Sequence, residues 1–108
     1  MKKEYNNLFT HFISSTLHRL PVIGENYRQR IEKYITGIVN NNDSHLYSVY
    51  ANPDHVHFLI SRSPKLSEES IATIVGESSQ RFINDNKLCA AHFAWQDSAS
   101  AFRYQSRM

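Results

Sequence analysis

The chain has 108 residues, 41% hydrophobic and 20% charged, which suits one small folded domain and excludes both a two-domain protein and a disordered one. A single cysteine, Cys89, excludes a disulfide-stapled secreted scaffold and makes the reducing cytoplasm the expected compartment. The formal net charge of +2, from 12 basic and 10 acidic residues, admits a nucleic-acid partner without demanding one. No apolar run approaches the roughly 20 residues of a membrane helix, so no membrane partner is expected. Residues 1–7 turn polar too early for a signal peptide.

Three glycines and three prolines punctuate the chain sparsely, which predicts mostly regular structure. Residues 8–14, rich in aromatic and β-branched side chains, read as a strand buried on both faces. An irregular passage with Pro21 and Gly24 follows. From Tyr27, the spacing of Ile31, Tyr34, Ile35, Ile38 and Val39 predicts an amphipathic helix. The run Asn40-Asn41-Asn42-Asp43 ends it, because these side chains bond the local backbone in competition with helix. Residues 46–50 and His55–Ser61, separated by Asn52-Pro53-Asp54, predict an antiparallel hairpin. Ser67 then suits the N-cap of a second helix, with Glu68 and Glu69 at its positive end and Ile71, Ile74, Val75 and Phe82 on its apolar face, running to about Asn84. Residues 91–96 and 101–105 read as extended. The order strand, helix, strand, strand, helix, strand predicts an α+β fold, a split βαβ sandwich whose antiparallel sheet carries both helices on one face.

The chemistry concentrates in residues 52–60. Alternate residues on a strand share a face about 6.6 Å apart, so His55 and His57 point one way while Val56, Phe58 and Ile60 point the other. Two adjacent imidazoles form a half-site for a divalent cation, with a third ligand to come from elsewhere. Asp54 is placed to orient one imidazole through its second nitrogen. The plain alternative is a pair of exposed or hydrogen-bonded structural histidines, and His11, His18, His45 and His92 spread the signal further.

With its Asn-Pro-Asp turn, this segment resembles the His-hydrophobe-His motif of the HUH single-tyrosine transposases, the insertion-sequence-200-like family that includes REP-associated tyrosine transposases. Other stretches resemble the family in the same order: Phe9 to Thr16 its first strand, Arg19-Leu20-Pro21 the passage after it, and Tyr34 to Ile38 its first helix. Ser78-Ser79-Gln80-Arg81-Phe82-Ile83-Asn84 resembles the Ser-Ser-x-x-hydrophobe-Asn part of the second helix, and Phe93-Ala94-Trp95-Gln96 the Phe-x-Trp-Gln signature. The resemblance covers nearly the whole chain. It implies a homodimer of ferredoxin-like domains that binds single-stranded hairpin DNA at the ends of a mobile element. It also implies that His55, His57 and a third polar ligand hold Mg²⁺ or Mn²⁺ on the scissile phosphate. A tyrosine then attacks, leaving a 5′-phosphotyrosine and a free 3′-hydroxyl, and the reverse step rejoins the DNA.

The chain departs from the family at its C-terminal end. There the family has a Gly-Tyr-Gly turn, a strand, and a helix bearing the tyrosine and a glutamine ligand. Here the turn reads Ser98-Ala99-Ser100 and only residues 102–108 follow. The expectation is a truncated domain, with Tyr104 in the strand rather than at the family's catalytic position. Tyr104 remains the candidate nucleophile of a rearranged C-terminus, against the reading of a strand-packing aromatic. Arg19 and Arg81 are candidate phosphate contacts. Trp95 is expected in the core or a dimer interface rather than stacked on a base. The alternatives to a working transposase are a non-catalytic relic that binds hairpin DNA and a small metal-dependent phosphoesterase.

Overall fold

Alternation along the strands decides which side of the sheet the helices take. In the computed structural model, which describes residues 9–96 in full and residues 102–107 by their backbone, Thr10, Phe12 and Ser14 of β1 (Phe9–Ser15) are buried. So are Val56, Phe58 and Ile60 of β3 (His55–Ser61). Phe12 and Phe58 pair in register and stack with ring centroids 5.1 Å apart, forming the centre of the core. Onto this face α1 (Arg28–Asn41) packs Ile31, Ile35 and Val39, and α2 (Glu68–Asp85) packs Ile71, Ala72, Val75 and Ile83. β2 (His45–Ala51) and β4 (Phe102–Arg107) complete a four-stranded antiparallel sheet of order β2-β3-β1-β4. α1 joins β1 to β2 and α2 joins β3 to β4, so each helix connects strands that are not neighbours. This is the ferredoxin-like split βαβ arrangement that the order of elements predicts.

The helix boundaries follow their chemistry. Ser67 caps α2, its Oγ accepting from Ser70 N at 2.9 Å. At the end of α1, the Asn42 side chain donates to Ile38 O at 2.8 Å, the local bonding that the asparagine run foretells. Among the described residues, no helix is long and apolar enough to cross a membrane.

Three expectations need correction. The first strand is not buried on both faces: Ile13 is 38% exposed and Phe9 and His11 are half-buried, because both helices lie on the other side. The apolar face of α2 is rotated from the predicted one. Ala72, Ser79 and Ile83 are buried, whereas Ile74 and Phe82 are half-buried, Phe82 stacking at 4.0 Å on Tyr34 of α1. Residues 91–96 form no strand beyond an isolated bridge between Thr16 and Trp95. Side chains of α2 hold that segment instead, as described below.

Candidate functional site

The turn between β2 and β3 is closed by Asn52 N donating to His55 O at 2.7 Å. The rest of the turn is pinned to the chain after β1. Pro53 O accepts from Ile23 N at 3.0 Å, and Asp54 O accepts from Thr16 N at 2.9 Å, with Thr16 Oγ1 3.1 Å away. With its backbone fixed, Asp54 turns its carboxylate to His55, whose Nδ1 lies 2.7 Å from Oδ1. The Asn52 amide nitrogen can only donate, and it sits 3.2 Å from His55 Nε2. Both contacts therefore require the Nδ1–H tautomer, with the Nε2 lone pair directed outward from Asp54. The hydrogen bond from His55, then that from Arg19, holds the Asp54 carboxyl below its ordinary range.

His55 and His57 share the uncovered face, as the alternation predicts, with ring centroids 5.9 Å apart and nearly parallel planes. His11 of β1 joins them, edge-on to His57 at 5.6 Å, and Tyr50 of β2 flanks His57 at 6.2 Å. Burial, then the neighbouring charges of His11 and His55, pushes the His57 imidazole below its ordinary value and favours its neutral form. Tyr50 is exposed and carries the Arg28 guanidinium over its ring at 4.9 Å.

Arg19 reaches the site through an uncommon backbone. His18 and Arg19 both occupy the left-handed region, with φ of 60° and 55°, a costly conformation for side chains with a Cβ. Two side chains hold it: Thr16 Oγ1 donates to Leu20 O at 2.7 Å, and Gln96 Oε1 accepts from His18 N at 2.7 Å. Arg19 Nη2 thereby lies 3.3 Å from Asp54 Oδ2. Gln96 is positioned in turn by α2. Asn84 makes both bonds to the backbone of Phe93, Nδ2 to O at 2.9 Å and N to Oδ1 at 2.7 Å. Gln80 Oε1 accepts from Trp95 N at 3.1 Å, and Ser79 Oγ accepts from Trp95 Nε1 at 3.2 Å. Trp95 is 4% exposed and belongs to the core, as expected.

A sequence model described as "Transposase IS200 like" matches residues 4–107 of the chain. The chain belongs to the IS200-like transposase family. Among solved structures, it is similar to a candidate transposase from Deinococcus radiodurans R1, with a TM-score of 0.82 and 18% identity over 100% of this chain and 87% of that one. It is also similar to a REP-associated tyrosine transposase bound to a REP hairpin, with a TM-score of 0.64 and 14% identity over 100% of this chain and 61% of the other. At these identities the likeness shows the fold. Among curated proteins none matches the chain in sequence.

In this IS200-like chain, the donor set fits a divalent cation as a half-site. Two imidazoles lie on one face of one strand, and His55 donates its inner N–H to a carboxylate, the outer contact typical of metal-bound histidines. Among the described residues, no group of three His, Cys, Asp or Glu side chains completes a ready cage. Of the candidate phosphate contacts, Arg19 is brought to the histidines, whereas Arg81 is exposed on α2 in the covering layer. Tyr104 pairs through its backbone with Phe12, and His57 pairs with Ile13, one position on; the Tyr104 side chain lies outside the described residues. The sequence reading missed His11 and Tyr50 as members of the site. The signal that finds His11 is its odd-numbered place beside Ile13 on β1, which puts it on the uncovered face once β1 is known to pair with β3.

Proposed function

We propose that this protein binds hairpin-forming single-stranded DNA on the open face of its sheet and cleaves and rejoins it with Mg²⁺ or Mn²⁺ held by His55 and His57. One observation carries the reading: the two histidines stand together on the uncovered face, with Asp54 orienting His55 and His11 against His57. When bound, the cation polarises a phosphoryl oxygen and neutralises charge developing on the phosphate. Asp54 holds the His55 ring by its Nδ1–H, so Nε2, which accepts from Asn52, is the nitrogen a cation would take from that amide, and burial favours the neutral form of His57. The exposed rings of Tyr47 and Tyr50 offer stacking surfaces for unpaired bases, and Arg19 lies where it can meet a backbone phosphate. In this reading the nucleophile is a tyrosine, for which Tyr104 is the candidate once the C-terminal strand is rearranged. Its phenolic oxygen bonds to phosphorus as the bond to the 3′-oxygen breaks, the phenol proton passes to that departing oxygen to give a 3′-hydroxyl, and attack by a second 3′-hydroxyl reverses the step without ATP. The working form is a homodimer, because a 108-residue core gains stability by burial against a second copy.

A recognition-only protein is the second reading. It is favoured by the Tyr104 backbone, which is out of step with the strand positions that carry the histidine face.

The test incubates the protein with hairpin-forming single-stranded DNA from the flanks of its gene and Mn²⁺, then runs native and denaturing gels. A covalent adduct that disappears in Tyr104→Phe, together with loss of Mn²⁺ binding in His55→Ala and His57→Ala, is the expected result. Hairpin binding without an adduct reduces the function to recognition. No binding to any hairpin overturns both readings.

A further inference from the structure

The helical layer carries a second feature, on the other side of the molecule from the histidines. Where α1 passes the C-terminal half of α2, Arg30, Lys33, Tyr34, Gly37 and Ile38 of α1 and Phe82 of α2 line a depression of about 470 Å³. Gly37 opens it. A Cβ placed there would meet nothing within 4 Å, so any other residue would begin to fill the space. The floor is aromatic, the Tyr34 and Phe82 rings stacking 4.0 Å apart with planes 9° from parallel.

The rim is cationic. The Arg30 guanidinium lies 5.8 Å from the Phe82 centroid and, among the described residues, bonds only Asn86 Oδ1, at 3.4 Å. Lys33 has no acidic partner among the described residues, and no carboxylate is among the lining side chains. The contrast along the same helix is informative. Arg28, two residues before Arg30 and outside the groove, is neutralised by Glu25 at 3.1 Å and Glu32 at 3.0 Å. The volume falls at the lower end of the roughly 300–1,000 Å³ of ligand pockets, enough for one ring system with its anionic group and too little for the apolar face of a helix. An aromatic floor suits a planar ring, and a guanidinium beside an ammonium suits a phosphate.

We propose that this groove binds one unpaired nucleotide, its base against Tyr34 and Phe82 and its phosphate on Arg30 and Lys33. The inference extends the nucleic-acid reading above and gives the helical layer a contact of its own. The same chemical unit is present in a free mononucleotide and in a single strand, and the two arms of the test separate these sources.

The test is a titration of the ¹⁵N-labelled full chain with deoxyadenosine monophosphate in one arm and an unstructured deoxythymidine hexamer in the other. The expected result is a saturable shift of the Gly37, Ile38 and Phe82 amides in at least one arm. A response to the hexamer alone assigns the site to strands, and a response to both assigns it to nucleotides generally. In Gly37→Leu, which fills the groove while removing a helix-weakening glycine, the Ile38 and Phe82 shifts vanish with the fold intact. Arg30→Gln and Lys33→Gln each weaken binding about tenfold. No shift in either arm, or shifts that survive Gly37→Leu, overturn the proposal. Hairpin binding without groove shifts defeats the groove alone, and groove shifts without hairpin binding defeat the hairpin reading alone.

Discussion

His57 stands between two other imidazoles on a half-buried sheet position, and its protonation is therefore coupled to folding. Its folded value lies below the ordinary 6.5, so the unfolded chain takes up the proton more readily. The stabilisation is complete above about pH 6.5 and is lost as pH falls through the folded value. Asp54 behaves as a depressed carboxylate, contributing above its ordinary 3.8 and losing that contribution only in stronger acid. The two windows separate. Urea midpoints are expected to be higher at pH 7.5 than at pH 5.0, and His57→Gln should narrow that difference; an unchanged difference would show that His57 is not its source. Asp54→Asn, which loses the negative charge facing His55, is expected to weaken Mn²⁺ binding about 10- to 100-fold, read by titration of the manganese resonance signal.

At the scale of elements, two motifs that look separate in the sequence form one interface. Ser79, Gln80 and Asn84 of α2 are the partners of Phe93 and Trp95, and Gln96 passes the restraint on to the left-handed turn that carries Arg19 to Asp54. Asn84→Ala removes two bonds to one backbone unit and is expected to lower stability by about 1–3 kcal/mol in urea unfolding. It should also speed hydrogen exchange at the His18 amide, far away in the chain, because Gln96 loses its anchor. Gln96→Ala should speed the same amide at little cost to global stability. If neither variant moves His18 exchange, the turn is held by Thr16 alone.

These linkages also show what was legible in advance. Period-two and helical spacing foretold the helices, the hairpin, Ser67 as the cap and the shared face of His55 and His57, because each rests on residues near in sequence. His11, Tyr50 and the rotated face of α2 depend on partners brought by strand pairing and by Tyr34, which local periodicity does not contain. The extended reading of residues 91–96 failed for the same reason. Their aromatics are held by α2 side chains rather than by a neighbouring strand.

The whole molecule has two unlike sides, and the parity of β3 keeps them apart. Val56, Phe58 and Ile60 fill the core beneath the helices, and this alone forces His55, His57 and Leu59 outward. A slip of one residue would bury the imidazoles and expose the apolar side chains, so the core residues set the register on which the site depends. Phe58→Ala is expected to cost about 3–5 kcal/mol through loss of the stack on Phe12, a large share of the roughly 5–15 kcal/mol of an ordinary domain. Leu59→Ala, one residue along but on the uncovered side, is expected to cost about 1 kcal/mol or less. Urea unfolding of the two variants at several protein concentrations decides the matter. A large loss for Phe58 and a small one for Leu59, independent of concentration, leaves the histidine face open to a ligand. A large loss for Leu59 that grows on dilution would mean that a second copy covers this face, and the proposal of DNA on the histidine face would then fail.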